Sequence, residues 1–114
     1  MSKEFEKNLS GNGKRIAIVV AEFNEMVTDA LLRGAVDRLE ALGVSSENIF
    51  VAKVPGAFEI PGVCRRLADT GSYDAIIALG AVIRGETSHY DAVVNGVTSG
   101  IASLASEGKI PVLF

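Results

Sequence analysis

The sequence predicts an α/β three-layer sandwich on a four-stranded parallel sheet. Three observations predict it: short β-branched runs alternate with longer stretches of helical period, glycines close those stretches, and the only histidine, His89, follows the third apolar run. Such alternation implies right-handed crossovers with helices on both sheet faces.

The first strand is Ile16-Ala17-Ile18-Val19-Val20, a continuous apolar run of the kind buried on both faces of a parallel sheet. Val27, Leu31, Leu32, Ala35, Val36, Leu39 and Leu42 follow at helical spacing, with Asn24 or Thr28 as the cap and Gly43 as the stop. Asn48 to Val54 reads as the second strand, broken by Pro55-Gly56. Pro61 suits the first turn of a helix carrying Val63, Leu67 and Ala68, closed by Gly71. Ala75 to Ile83 is the third and most apolar strand; the next helix carries Val93, Val94, Val97, Ile101, Leu104 and Ala105 and ends at Gly108. Ile110-Pro111-Val112-Leu113-Phe114 is the fourth strand. With no helix after it, part of one sheet face is expected to lack cover, which another chain or further sequence would supply.

At 114 residues, 48% hydrophobic and 22% charged, the chain fits one domain, residues 15–114, behind a polar arm and turn, residues 1–14. A formal net charge of -3 and scattered Lys and Arg give no basic footprint, so nucleic acid is excluded as a partner class. Cys64 is alone, which rules out an intrachain disulfide and suits a reducing cytosol. Neither an apolar leader nor an 18-residue apolar run is present, so the expected location is cytoplasmic, without a membrane partner.

Open α/β sheets bind ligands beyond the carboxyl ends of their strands. Glu22-Phe23-Asn24, Gly56-Ala57-Phe58-Glu59, Gly85-Glu86-Thr87-Ser88-His89 and Phe114 fall there, which gathers three of the five phenylalanines and the histidine on one edge. That combination suits a flat, conjugated ligand held by stacking beside a group that takes and gives protons near neutrality. Backbone N–H groups at Gly85 to Ser88, where a helix begins, suit an anion such as phosphate. No G-x-G-x-x-G follows the first strand, which weighs against a dinucleotide fold. Gly11-Asn12-Gly13-Lys14 precedes a strand instead of following one and is not a phosphate loop.

Each of these residues also has a plain structural reading. Phe58 could pack, Glu59 could be a first-turn carboxylate favoured by the helix dipole, and a lone histidine in a first helical turn is usually just solvated. Cys64 reads as a semi-buried small hydrophobe, Arg65 and Arg66 as a wet helix face, and Arg84 as a loop holder. The residues alone leave open an enzyme, a binding module that holds a flat, conjugated ligand without turnover, and a flavodoxin-like or receiver-like regulatory domain. The last would want an acidic cluster after the first strand, which Glu22 alone does not make.

Three segments carry a resemblance beyond periodicity. Glu22-Phe23-Asn24, Val54-Pro55-Gly56-Ala57-Phe58-Glu59-Ile60-Pro61 and Gly80 through His89, in that order and spacing, resemble the 6,7-dimethyl-8-ribityllumazine synthases of riboflavin biosynthesis. The resemblance implies a flavodoxin-like fold and a transferase that condenses 5-amino-6-(D-ribitylamino)uracil with 3,4-dihydroxy-2-butanone 4-phosphate, without metal or organic cofactor. It implies that Phe23 stacks on the pyrimidine, that Ala57, Phe58 and Glu59 line the ribityl pocket, and that backbone groups of Ala81, Val82 and Ile83 read the pyrimidine edge. Gly85, Glu86 and Thr87 are then phosphate-binding through the main chain, His89 is the proton shuttle, and Phe114 reaches a neighbouring subunit's site. It further implies a homo-oligomer with its active site at the subunit interface, as a pentamer or an icosahedral capsid of sixty, and riboflavin synthase as a partner. The family pattern continues with two helices and a phosphate-clamping arginine that this sequence does not include, so the domain is expected to be C-terminally incomplete, and the alternative the resemblance implies is a truncated, inactive lumazine- or flavin-binding or assembly module. In such proteins the N-terminal arm pairs with a neighbour's sheet.

Overall fold

Every residue of the first strand, Ile16–Ala21 (β1), is buried, as its unbroken apolar pattern requires of a central strand. The computed structural model describes residues 10–82 and 89–114, with only the backbone of His89. Along it run α1 (Glu25–Ala41), β2 (Ile49–Val54), α2 (Ile60–Asp69), β3 (Ala75–Leu79), α3 (His89–Glu107) and β4 (Val112–Leu113). Short 3-10 turns at Ser46–Asn48 and Ala57–Glu59 precede β2 and α2.

The strands form one parallel sheet in the order β2-β1-β3-β4. This is the flavodoxin-like order, in which the chain first winds to one side of β1 and then to the other. Because side chains alternate across a strand, the two sheet faces sort themselves. Ile16 and Ile18 meet Leu32, Ala35, Val36 and Leu39 of α1. Ala17, Val19 and Ala21 enter a larger core with Ile60, Cys64 and Ala68 of α2 and Val97, Ile101 and Leu104 of α3. One helix covers one face and two cover the other, which is the three-layer sandwich the alternation predicts. None of the described helices is long and apolar enough to cross a membrane.

Glycine stops act as the sequence predicts: Gly43, Gly71 and Gly108, past the ends of α1, α2 and α3, have φ of 100°, 68° and 72°. Other boundaries differ from the sequence reading. Residues 46–48 turn as 3-10 backbone, with the Asn48 amide donating to Ser45, so β2 starts at Ile49 instead of Asn48. β3 stops at Leu79, because from Gly80 the chain leaves the ladder and packs on the turn before α2; Ile83, the end expected of that strand, lies outside the described residues. β4 is two residues, since Pro111 has no N–H to give to a ladder; its carbonyl accepts from Ile76.

At the amino end, the Gly11 amide donates to Leu42 and the Lys14 amide to Gly11, so the turn before β1 tucks against the end of α1. Of the expected arm, residues 1–9 lie outside the described residues.

Candidate active site

The carboxyl ends of β1, β2 and β3 finish level, with Ala21 opposite Val54 and Val20 opposite Leu79. Each loop leaving that edge is therefore within reach of the next. The Glu22 amide donates to Val54 at 2.7 Å and the Phe23 amide to Pro55 at 3.1 Å, so the first loop is stitched to the second. The Asn24 side-chain amide donates to the Ala81 carbonyl at 3.4 Å, which joins the first loop to the third.

Asn24 is the only described non-glycine residue with positive φ, at 64°, and it caps α1 in an unexpected way. Its side chain makes no capping bond; its carbonyl instead accepts from the Val27 and Thr28 amides and from the buried Thr28 hydroxyl. The left-handed conformation, which Asn tolerates better than most residues, frees the side-chain amide for Ala81. Sequence reading offered Asn24 as a cap and as part of the Glu22-Phe23-Asn24 segment, and gave it no such bridging role.

Gly80 makes the second and third loops meet. A Cβ there would lie 3.2 Å from Ile60 Cδ1 and 3.4 Å from Ala57 Cβ, tighter than or at the limit of ordinary contact. Ala57 is buried with its methyl in the core, and its carbonyl accepts from the Ile60 amide. Phe23 and Phe58 are 64% and 61% exposed at the same edge, apolar rings with little core to fill. Glu59 is exposed, and its Oε2 folds back to within 3.2 Å of where a Cβ of Gly56 would stand. Ala81 and Val82 follow β3 and are half-buried.

Phe114 follows β4, two strands from β1 on the β3 side, and is also 64% exposed. The only ring pair among the described residues is Phe50 with Tyr73, so Phe114 stacks on neither Phe23 nor Phe58. His89 is the first residue of α3. Ile83, Gly85, Glu86 and Thr87, together with Arg84 and Ser88, lie outside the described residues, as does the His89 side chain.

Cys64 is fully buried, more so than its sequence reading as semi-buried, and burial pushes its thiol up to about 11. It is a core residue of α2. Arg65 is not simply wet: its guanidinium pairs with Glu107 at the end of α3. A hollow of about 150 Å³ lined by Lys14, Leu39, Leu42 and Val44 lies at the opposite, amino end of β1, away from this edge.

The sheet order and the linked loops define a flavodoxin-like α/β domain whose carboxyl edge presents two exposed aromatic rings and a carboxylate. Residues 13–114 match the sequence profile of the family described as 6,7-dimethyl-8-ribityllumazine synthase. A 6,7-dimethyl-8-ribityllumazine synthase of Pediococcus pentosaceus is 54% identical over 111 residues, 97% of this chain and 71% of that protein. The chain belongs to the 6,7-dimethyl-8-ribityllumazine synthase family, and so to the transferases of riboflavin biosynthesis.

Proposed function

We propose that the edge formed by the loops after β1, β2 and β3 is where this chain condenses 5-amino-6-(D-ribitylamino)uracil with 3,4-dihydroxy-2-butanone 4-phosphate, releasing phosphate and water. The observation that carries the reading is the pair of exposed rings, Phe23 and Phe58, on loops tied by the Phe23 amide to Pro55 and by Asn24 to Ala81.

In this reading Phe23 stacks on the pyrimidine while backbone groups of Ala81, Val82 and Ile83 meet its polar edge. Phe58 and Glu59, with the backbone of Ala57, hold the ribityl chain, the Glu59 carboxylate accepting from its hydroxyls. Main-chain N–H groups of Gly85, Glu86 and Thr87 take the phosphate at the start of α3, where the helix dipole favours an anion. His89 relays protons as the amine and ketone form an imine, phosphate leaves and the ring closes. A positioned base helps each such transfer by about 10²–10⁴-fold, and holding both substrates together contributes up to roughly 7–11 kcal/mol.

The same reading has the chain act as a cytosolic homo-oligomer, a pentamer or a shell of sixty, with riboflavin synthase as partner. Phe114, exposed just after the two-residue strand β4, then enters a neighbour's site, and Met26 and Leu113 offer further exposed apolar surface. Mixing the two substrates with this chain tests the function: the lumazine product's fluorescence is expected to grow with time. Binding of the product without its formation makes the chain a binding module instead. Light scattering after size exclusion tests assembly, for which a monomer is the contrary result.

A further inference from the structure

Helix α3 carries two interior glycines one turn apart, Gly96 and Gly100, where alanine would favour the helix more. Both are occupied by side chains from the segment after β2. A Cβ at Gly96 would lie 2.6 Å from Cε2 and 3.0 Å from Cδ2 of Phe58; one at Gly100 would lie 2.6 Å from Cβ and 2.7 Å from Cγ of Pro61. Neither approach is possible for a real side chain without a shift of ring or helix.

We propose that Gly96 is a positioning residue: its bare Cα seats the Phe58 ring, and that seat sets the spacing between α3, with His89 at its start, and the turn bearing Phe58 and Glu59. His89 precedes Gly96 by seven residues, close to two full turns. Its Cα therefore lies on the same helix stripe as Gly96, about 10 Å along the axis. A helix pushed off Phe58 at Gly96 carries the backbone of His89 with it. Pro61 on Gly100 fixes the same stripe one turn further on, so α3 is held against this segment at two points that only glycine permits. The inference rests on the reading that His89, Phe58 and Glu59 serve one substrate.

Gly96→Ala is the test, with Gly34→Ala as its control, because a Cβ at Gly34 in α1 meets nothing within 4 Å. A displacement of about 1 Å can cost on the order of 10²-fold in rate. Gly96→Ala is expected to lower kcat per folded enzyme by about 10–100-fold while KM for the pyrimidine changes by less than about threefold. Gly34→Ala is expected to match wild type. In the double variant Gly96→Ala/Phe58→Leu, the smaller side chain readmits the Cβ, and kcat is expected to return to the level of Phe58→Leu alone. A merely structural glycine would lower the folded fraction and leave kcat per folded molecule unchanged; that result overturns the proposal. So does a double variant no better than Gly96→Ala, including the case in which Gly96→Ala alone does not fold. A wild-type chain that neither binds nor forms the lumazine overturns the functional reading and this inference together, whereas an active wild type beside an equally active Gly96→Ala overturns this inference alone.

Discussion

The side-chain amide of Asn24 donates to the backbone carbonyl of Ala81 across 3.4 Å, and it can do so because Asn24 itself sits at φ 64° and ψ 52°. Backbone strain and loop bridging are thus combined in one residue, and substitution separates them. Asn24→Gly keeps the left-handed turn and loses the bridge; Asn24→Ala loses both. We expect the glycine variant to stay within about 0.5 kcal/mol of wild type in urea, and the alanine variant to lose about 1–2 kcal/mol. Both are expected to bind the pyrimidine more weakly, because Ala81 is no longer held against the Phe23 loop. Full-strength binding by Asn24→Gly, measured by fluorescence titration, would show that the bridge is dispensable.

Phe23 and His89 are expected to fail in different ways. Phe23→Ala removes a ring that is already mostly exposed, so its folding cost is small and its effect falls on the stacked substrate. KM for the pyrimidine should rise more than kcat falls. His89→Ala should slow turnover by about 10²-fold without abolishing it, since proximity remains after a proton relay is lost. Its pH–rate curve should also lose a limb near neutrality. Steady-state kinetics from pH 5 to 8, the range in which histidine changes charge, check both. An unchanged pH profile in His89→Ala would remove His89 from the mechanism.

Much of this edge was legible because its residues are close in sequence to strand ends. Phe23, Phe58 and Glu59 come within five residues of a strand's end, and the helix-ending glycines announce where each unit closes. Less legible were features that depend on another segment. The apolar run after Leu79 looks like more strand, yet Gly80 is pressed on Ala57 and Ile60, and no periodicity reports that contact. Asn24 has the composition of an ordinary cap, and only the position of Ala81 makes it a bridge. Two interior helix glycines signal close packing of some kind, but that Phe58 and Pro61 fill the gap follows from three-dimensional placement alone.

Cys64 illustrates the same dependence and gives a sharp measurement. Its side chain lies in the core with Ile60, Ala68 and Ile76, and burial alone lifts the thiol to about 11. The thiolate is the reactive form, so native protein at pH 8 should resist a thiol reagent that reacts at once in urea. The folded pKa lies above the ordinary thiol value of about 8.5, so this contribution is fully present below that value. It is lost as pH rises through about 11. The urea midpoint of wild type should therefore fall more steeply across that window than that of Cys64→Ala. Cys64→Ser places a hydroxyl in the same apolar cluster and should cost about 1–3 kcal/mol.

At the opposite end from the glycine contacts, ion pairs clasp α2 to the end of α3, Arg65 with Glu107, and to the residues just after it, Asp69 with Lys109 at 2.8 Å. The Lys109 ammonium, by hydrogen bond and then by charge, holds the Asp69 carboxyl below its usual range, and Asp69 raises Lys109 in return. A lowered carboxylate stabilises the fold above its unfolded pKa, about 3.9, and loses that contribution as pH falls through the folded value. A raised lysine contributes below about 10.4 and loses its share as pH rises through the folded value. The clasp therefore works across the whole neutral range, but both pairs are exposed, so salt screens them and their contribution is small. Asp69→Asn should lower the thermal midpoint slightly at pH 7, less at pH 3, and not at all in about 1 M salt. Its kcat should equal that of wild type, because Gly96 and Gly100 seat the part of α3 that leads to His89, whereas the clasp holds its other end. A kcat loss in Asp69→Asn that persists in high salt would move the control of α3 from the glycine seats to the clasp.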